Sequence, residues 1–225
     1  MDRVTVGAGV MGVVFDLEGT LVDFQWHLDE AEAELRDGLR RLGFVEDIFA
    51  GESYATMWNR AVTLPEAPVD EAALRARLGP IYDRYDADAL SRWRPRPGAA
   101  ELLDRLAPSG RRLGMVSNIG RAALQPVVDR FGFAPHLDPV ISRDDVRLLK
   151  PAGEGIVRCL AAWDLEPERA LMVGDSRSDL GAAREAGTRV AIVLGGEVPR
   201  EGFAADPPDV FLEGLADLDG VLQPR

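Results

Sequence analysis

The stretch that most constrains this chain is an apolar run ending in two carboxylates, residues 12–23 (GVVFDLEGTLVD). The continuous apolar residues before Asp16 predict a buried strand of a parallel sheet, because such strands are covered on both faces. Open α/β sheets bind their ligands beyond the carboxyl ends of these strands. Asp16 and Glu18 stand at that place, where two carboxylates are unfavourable unless positive charge joins them. The stretch therefore predicts a site that needs a cation.

The remainder of the chain divides into two segments with different patterns of apolar residues. From residue 95 onwards, helical and strand patterns alternate, which predicts an α/β fold with a doubly wound, Rossmann-like parallel sheet. Residues 23–94 instead carry apolar residues at helical spacing and no convincing strand. Pro95, Pro97 and Gly98 predict a stiff linker at the end of this segment. We expect a core of residues 1–22 and 95–225, with an all-helical cap of residues 23–94 inserted after the first strand. The predicted helices of this insert cover residues 29–42, 52–62 and 70–85, with a fourth short turn at 88–93.

Charge and cysteine content argue against several classes of function. The net charge of −12 repels nucleic-acid backbones and anionic lipid. No apolar run approaches the roughly 18 residues of a membrane helix. Cys159 is the single cysteine, which rules out a disulfide within the chain and favours a reducing cytoplasm. We expect a cytoplasmic protein without nucleic-acid or membrane partners, and nothing in the sequence predicts its oligomeric state.

Four groups of polar residues fall at or near strand ends. In chain order they are Asp16 with Glu18, Ser117 with Asn118, Lys150, and Asp175 with Asp179. Because consecutive parallel strands present their carboxyl ends at one edge, we expect these groups to converge. Lys150 is the only lysine beside 25 arginines, so a position that any cation could fill would more often carry arginine.

Together these residue types are typical of phosphoryl transfer. A cluster of carboxylates suits Mg²⁺, which takes oxygen ligands. Ser117 and Asn118 offer donors at a helix start, where anions bind, and Lys150 adds a compact positive charge. Taken singly, each group has another reading: a turn with acids, a helix cap or a solvated lysine. Their joint occurrence in order at strand ends favours the site.

With these motifs in this order, the chain resembles the haloacid dehalogenase-like (HAD) hydrolase superfamily. The resemblance spans roughly residues 13–194, and the insert looks like the helical type-1 cap of the phosphatase branch. It implies that Asp16 is the nucleophile and forms an aspartyl-phosphate. Glu18 would be the general acid and base, and its backbone carbonyl would bind the metal. The implied catalytic set is Asp16, Glu18 and Lys150, the phosphate-binding set Ser117, Asn118 and Lys150, and the Mg²⁺ set Asp16, Glu18, Asp175 and Asp179. Asp175 would ligate directly, whereas Asp179 would ligate through water or orient Lys150.

Glu18 departs from the family pattern, because most phosphatases of the family have aspartate there. Glutamate moves the carboxylate about 1.5 Å further out on ordinary bond lengths. A similar Asp-x-Glu-Gly-Thr motif occurs in the enolase-phosphatase branch, so glutamate is compatible with turnover. The presence of an acid argues against the dehalogenase branch.

The leading hypothesis is therefore a Mg²⁺-dependent phosphatase acting on a small phosphorylated metabolite. A sugar-phosphate mutase of the same superfamily is an alternative. Another is a catalytically idle member that binds phosphometabolites or a protein, suggested by Glu18 and by tryptophans expected to be exposed, namely Trp26, Trp58 and Trp93. The insert is expected to control specificity, with Trp26, His27 and Arg60 as candidate contacts.

Overall fold

A computed structural model describes residues 9–222, so both termini of the predicted core lie outside the described residues. Its centre is a six-stranded sheet in which every neighbouring pair is parallel, in the order β3-β2-β1-β4-β5-β6. The strands are β1 (Gly12–Phe15), β2 (Arg112–Val116), β3 (Val140–Ile141), β4 (Ala170–Gly174), β5 (Arg189–Val193) and β6 (Val210–Leu212). This order is that of a Rossmann-type doubly wound sheet, and the α/β prediction is confirmed.

The position of β1 decides where the chemistry lies. It pairs with β2 on one side and β4 on the other, and Phe15 stands opposite both Met115 and Val173. The chain reverses its direction of winding at this strand. The residues that follow Phe15, Val116 and Val173 therefore leave the sheet side by side, at the switch point where such folds bind ligands.

Two hydrophobic cores cover the two faces of the sheet. Val13 and Phe15 face one core, whereas Val14 between them faces the other, as the period of a strand requires. The first core takes up residues of α4 (Ala99–Leu106), α5 (Arg121–Arg130) and α8 (Asp217–Leu222). The second takes up α6 (Glu154–Trp163) and α7 (Arg177–Ala186). Burial on both faces explains why the strands read as continuous apolar runs.

Between β1 and α4 the chain forms the helical insert, which contains α1 (Leu28–Arg41), α2 (Tyr54–Thr63) and α3 (Glu71–Arg92). The predicted short turn at 88–93 is wrong as a separate element, because α3 continues through it. Tyr82, Asp86 and Ala89 are all buried on α3, so its buried stripe runs past the predicted end at residue 85. Pro80 lies inside α3 without ending it.

Among the helices in residues 9–222, none is both long and apolar enough to cross a bilayer.

Candidate active site

Lys150 lies at the centre of a buried cluster of acids beyond the ends of β1 and β4. Its Nζ is 2.6 Å from Asp16 Oδ1 and 2.6 Å from Asp179 Oδ1. All three side chains are almost fully buried. Burial lowers the pKa of Lys150, but the charges of Asp16 and Asp179 outweigh this effect and raise the pKa above its usual value. The ammonium is therefore charged and fixed beside Asp16.

The two carboxylate oxygens of Asp179 have different hydrogen-bond partners. Its Oδ2 accepts hydrogen bonds from the backbone N–H groups of Asp175 and Ser176 and from the Ser176 hydroxyl, while its Oδ1 faces Lys150. Ser176 in turn caps α7, so the residue pair closes a capping box at the helix start. The helix-cap interpretation of this segment is thus correct, and the same carboxylate also holds Lys150.

Asp175 is held by a tight turn from β1. Thr20 Oγ1 donates to Asp175 Oδ1 at 3.1 Å, and the backbone N–H of Glu197 donates to Oδ2 at 2.5 Å. Gly19 has a φ of +81°, and a Cβ at this residue would stand 2.0 Å from Asp175 Oδ2. Only glycine combines this backbone conformation with so close an approach. The Asp-x-Glu-Gly-Thr turn therefore brings β1 and β4 into one site.

Asp16, Asp175 and Asp179 each offer one carboxylate oxygen, and these three atoms lie within 4.8 Å of one another. Burial raises the pKa of Asp16 to about 7, although the neighbouring Lys150 acts against it, and raises the pKa of Asp175 well above its usual range. Three buried carboxylates face one lysine, so the cluster lacks positive charge. Hard oxygen donors with surplus negative charge are what a divalent cation requires, and the residues present fit such an ion.

Ser117 and Asn118 follow β2 on the other side of Asp16. The Ser117 hydroxyl oxygen accepts the Ile119 N–H at 3.3 Å, which leaves its proton for a ligand. Asn118 is engaged differently. Its side-chain amide accepts from Lys150 N at 2.9 Å and donates to Lys150 O at 3.1 Å, and it also donates to the Tyr54 hydroxyl at 3.2 Å. The amide of Asn118 thus fixes the backbone that carries Lys150.

Asn59 of α2 makes a similar pair of bonds one residue earlier. Its amide donates to Leu149 O and accepts from Leu149 N, both at 2.7 Å. Trp58 Nε1 also donates to Arg147 O at 2.9 Å. The helical insert therefore contacts the loop that presents Lys150.

Glu18 turns towards the segments that connect the core with the insert. Its Oε1 accepts the backbone N–H groups of Gln25 at 2.7 Å and Trp26 at 2.8 Å, and the Trp93 indole N–H at 2.8 Å. Burial raises the pKa of Glu18 to about 8, whereas the hydrogen bond from Trp93 works in the opposite direction. Burial therefore favours the neutral form of the Glu18 carboxyl.

The expectation that three tryptophans are exposed is wrong. Trp26, Trp58 and Trp93 are 6%, 4% and 0% exposed. Each indole N–H has an acceptor: Trp26 donates to Asp86, Trp58 to the Arg147 carbonyl and Trp93 to Glu18. His27 and Arg60 are exposed and pair with acids of the insert, Asp88 and Glu52.

Two residues near the site, Glu197 and Tyr54, were not predicted from the sequence. Glu197 follows β5, and its side chain keeps access to solvent. Partial desolvation and the charges of Asp179 and Asp16 raise the pKa of Glu197 to about 7. Tyr54 of α2 reaches Asn118 from the insert. Extending the strand-end rule to β5 would have found Glu197, whereas no sequence signal distinguished Tyr54 from other apolar-face residues of its helix.

A model of the haloacid dehalogenase-like hydrolase family matches residues 10–187. The chain belongs to this family. The phosphoglycolate phosphatase of Salmonella typhimurium is 31% identical to this hydrolase over 93% of this chain and 91% of that protein. The plasmid-encoded phosphoglycolate phosphatase of Cupriavidus necator is 30% identical, over 98% and 96% of the two chains.

Solved structures share the fold. A predicted phosphoglycolate phosphatase from Haemophilus somnus aligns with a TM-score of 0.67 at 24% identity, covering 96% of this chain and 99% of its own. A hydrolase from Pseudomonas syringae also aligns at 0.67, with 19% identity and coverage of 93% and 96%. At these identities the likeness shows the fold alone.

Proposed function

We propose that this protein is a Mg²⁺-dependent phosphatase that hydrolyses a small phosphate monoester through an aspartyl-phosphate on Asp16. Hydrolysis of phosphate monoesters as a class follows from the family and its relatives. The observation that carries the proposed mechanism is the ammonium of Lys150, 2.6 Å from both Asp16 and Asp179 at the switch point of the sheet. A cation held against a buried carboxylate neutralises the charge that an approaching phosphate would otherwise meet.

In the first step, Asp16 Oδ2 attacks phosphorus while Oδ1 stays hydrogen-bonded to Lys150. The new Oδ2–P bond forms as the ester P–O bond breaks, and the bonding electrons leave with the ester oxygen. That oxygen takes the proton of Glu18 and departs as an alcohol. In the second step, water gives a proton back to Glu18 and attacks phosphorus, which releases inorganic phosphate and restores Asp16. Splitting the displacement in this way replaces one hard step by two easier ones.

The proposed metal set is Asp16, Asp175 and the backbone carbonyl of Glu18, with Asp179 acting through water. Asp179 Oδ1 accepts from the Lys150 ammonium and its Oδ2 accepts from three protein donors, whereas each Asp175 oxygen accepts one hydrogen bond; this difference supports an indirect role for Asp179. A small cluster of oxygen donors suits Mg²⁺, which keeps several waters and binds substrate phosphate. When bound, the ion would neutralise phosphate charge and orient the group for in-line attack.

Phosphate oxygens are assigned to the Ser117 hydroxyl and Lys150. Asn118 is assigned to the same subsite mainly through its hold on Lys150, since its side-chain donors are in use. Residues 23–94 are proposed to act as a cap over a core formed by 1–22 and 95–225. Contacts such as Tyr54 to Asn118 and Asn59 to Leu149 support a cap that excludes water from the site.

The substrate is proposed to be a small phosphorylated metabolite, and 2-phosphoglycolate is the first to test because of the relatives' activity. One argument for a binding-only role was the expected exposure of three tryptophans, and these tryptophans are buried. Nothing in residues 9–222 specifically favours the mutase. A cytoplasmic location is proposed from the single, unpaired Cys159.

The test is hydrolysis of p-nitrophenyl phosphate and a panel of alkyl phosphates. We expect turnover with Mg²⁺, loss in EDTA and recovery on adding MgCl₂. Asp16→Asn should abolish turnover, whereas Asp29→Asn, the same change at an exposed position of α1, should not. Turnover that survives both EDTA and Asp16→Asn, or none on any ester, would contradict the proposal.

A further inference from the structure

Glu18 accepts hydrogen bonds from both chain segments that join core and insert. Gln25 and Trp26 belong to the first segment and Trp93 to the second, and all three donate to the same oxygen, Oε1, at 2.7–2.8 Å. Trp93 has no exposed surface and Glu18 has 9%. The indole N–H is therefore shielded from water, and Glu18 is its partner.

Three donors on one oxygen determine where the carboxyl proton resides. A carboxylate oxygen has two lone pairs, and three N–H groups converging on Oε1 leave no room for a hydroxyl proton. In the acid form that the proposed mechanism requires, the proton of Glu18 is therefore on Oε2. Because the carboxyl group is planar, fixing Oε1 from three directions also fixes the direction in which Oε2 presents that proton.

We propose that Trp93 is a positioning residue for proton transfer: its indole N–H holds the Glu18 carboxyl so that Oε2 delivers the proton to the leaving oxygen. The inference rests on the proposed function. It also gives a reason for glutamate at this place, because the extra methylene carries Oε1 about 1.5 Å further, towards the connecting segments. Misplacing a proton donor by about 1 Å can cost a factor of 100.

The inference makes a prediction that depends on the leaving group. An alkoxide is a poor leaving group and needs its proton as the P–O bond breaks, whereas p-nitrophenolate is stable without one. The informative quantity is kcat/KM, which covers the steps through departure of the first product. It therefore reports the general-acid step and not the later attack of water.

The experiment compares Trp93→Phe with Trp58→Phe in the full chain. Trp58 is a matched control, since it is also buried and its indole N–H donates to a backbone carbonyl, that of Arg147, at 2.9 Å. We measure kcat/KM for glycerol 2-phosphate and for p-nitrophenyl phosphate, after checking each variant by circular dichroism.

For Trp93→Phe we expect kcat/KM on glycerol 2-phosphate to fall about ten- to a hundredfold more than on p-nitrophenyl phosphate, within the range of general acid catalysis. Trp58→Phe should change kcat/KM by the same factor for both esters. Equal losses on both esters in Trp93→Phe would overturn the inference and leave the phosphatase assignment intact. Failure of the wild-type protein to hydrolyse p-nitrophenyl phosphate and every other ester of the panel would instead overturn the proposed function.

Trp93→His provides a second variant with a ring N–H in a smaller side chain. The quantity compared is kcat/KM for glycerol 2-phosphate divided by kcat/KM for p-nitrophenyl phosphate. If the ring N–H positions Glu18, this ratio should be nearer to the wild-type value in Trp93→His than in Trp93→Phe. A ratio at or below that of Trp93→Phe would show that packing of the large ring, and not the hydrogen bond, is responsible.

Discussion

Asp86 of α3 makes a buried ion pair across the boundary between insert and core, and replacing it by alanine should destabilise the protein severely. Its carboxylate, 1% exposed, accepts Arg143 Nη1 at 2.7 Å, Gly120 N at 2.9 Å and Trp26 Nε1 at 3.0 Å. Arg143 is itself only 7% exposed and also donates to Asn118 O at 3.3 Å. Asp86→Ala would leave the N–H groups of Gly120 and Trp26 without an acceptor and would remove the buried acid partner of Arg143.

The magnitude follows from the environment of each donor. Removing one partner of a buried ion pair costs about 3–5 kcal/mol. Orphaning the N–H groups of Gly120 and Trp26 adds about 1–3 kcal/mol each where water does not reach them. Asp83, 2.5 Å from Arg143 Nη2, remains to pair with the guanidinium and offsets part of this loss. We expect a net loss of at least about 4 kcal/mol, a large fraction of the 5–15 kcal/mol typical of a folded domain.

Asp83→Ala is the matched control, because it removes the other acid paired with Arg143. The Asp83 side chain is 63% exposed, so solvent screens its pair and the expected loss is about 0–1 kcal/mol. Urea unfolding followed by both tryptophan fluorescence and circular dichroism would measure the two variants and check that the transitions coincide. Equal losses for Asp86→Ala and Asp83→Ala would refute the argument that burial sets the strength of this contact.

Further predictions concern the site and the cysteine. Lys150→Arg should reduce kcat by about 100-fold or more, because a forked guanidinium cannot replace a buried point charge held at 2.6 Å from two carboxylates. The control is Arg147→Lys, at an exposed position. Near-normal turnover by Lys150→Arg would contradict the role assigned to Lys150. Glu197→Arg replaces an acid beside the site with a cation. It should raise the ratio of kcat/KM for 2-phosphoglycolate to kcat/KM for O-phosphoethanolamine by about tenfold, or roughly 1.4 kcal/mol. An unchanged ratio would show that Glu197 lies away from the leaving group. Burial raises the pKa of Cys159 to about 12, so its thiol stays neutral below that pH and should react with a disulfide reagent only after unfolding; fast reaction of native protein between pH 7 and 9 would show that it is accessible.

Much of the fold was predictable because the strands are short apolar runs that end in polar residues. Asp16, Ser117 and Asp175 each follow such a run, and parallel pairing alone suffices to bring them to one edge. Lys150 was identified by its rarity among arginines. These signals are local or compositional, so no knowledge of side-chain packing was needed to find them.

What remained hidden depends on contacts between distant segments. Trp93 was expected to be exposed, and only the folded chain shows that its indole N–H donates to Glu18, 75 positions earlier. Asp86 lies just beyond the predicted helix of residues 70–85, and no sequence signal shows that it is buried against Arg143, 57 positions later. Helical spacing reveals which face of a helix is apolar, but it cannot reveal which acid on that helix finds a buried arginine.

The paired amides of Asn59 and Asn118 bear on how chains of this kind could be recombined. Leu149 is buried, and both of its backbone polar groups are satisfied by a side chain that belongs to the insert. A chimaera carrying a homologous insert without an amide at this place would leave the Leu149 N–H unpaired, at about 1–3 kcal/mol, whereas the Leu149 carbonyl would keep the N–H of Ala152 at 2.9 Å. The residue next to them is Lys150, so the loss would loosen the lysine as well. A successful graft would have to transfer α2 and the loop before Lys150 together, across the border at which the chain would ordinarily be cut.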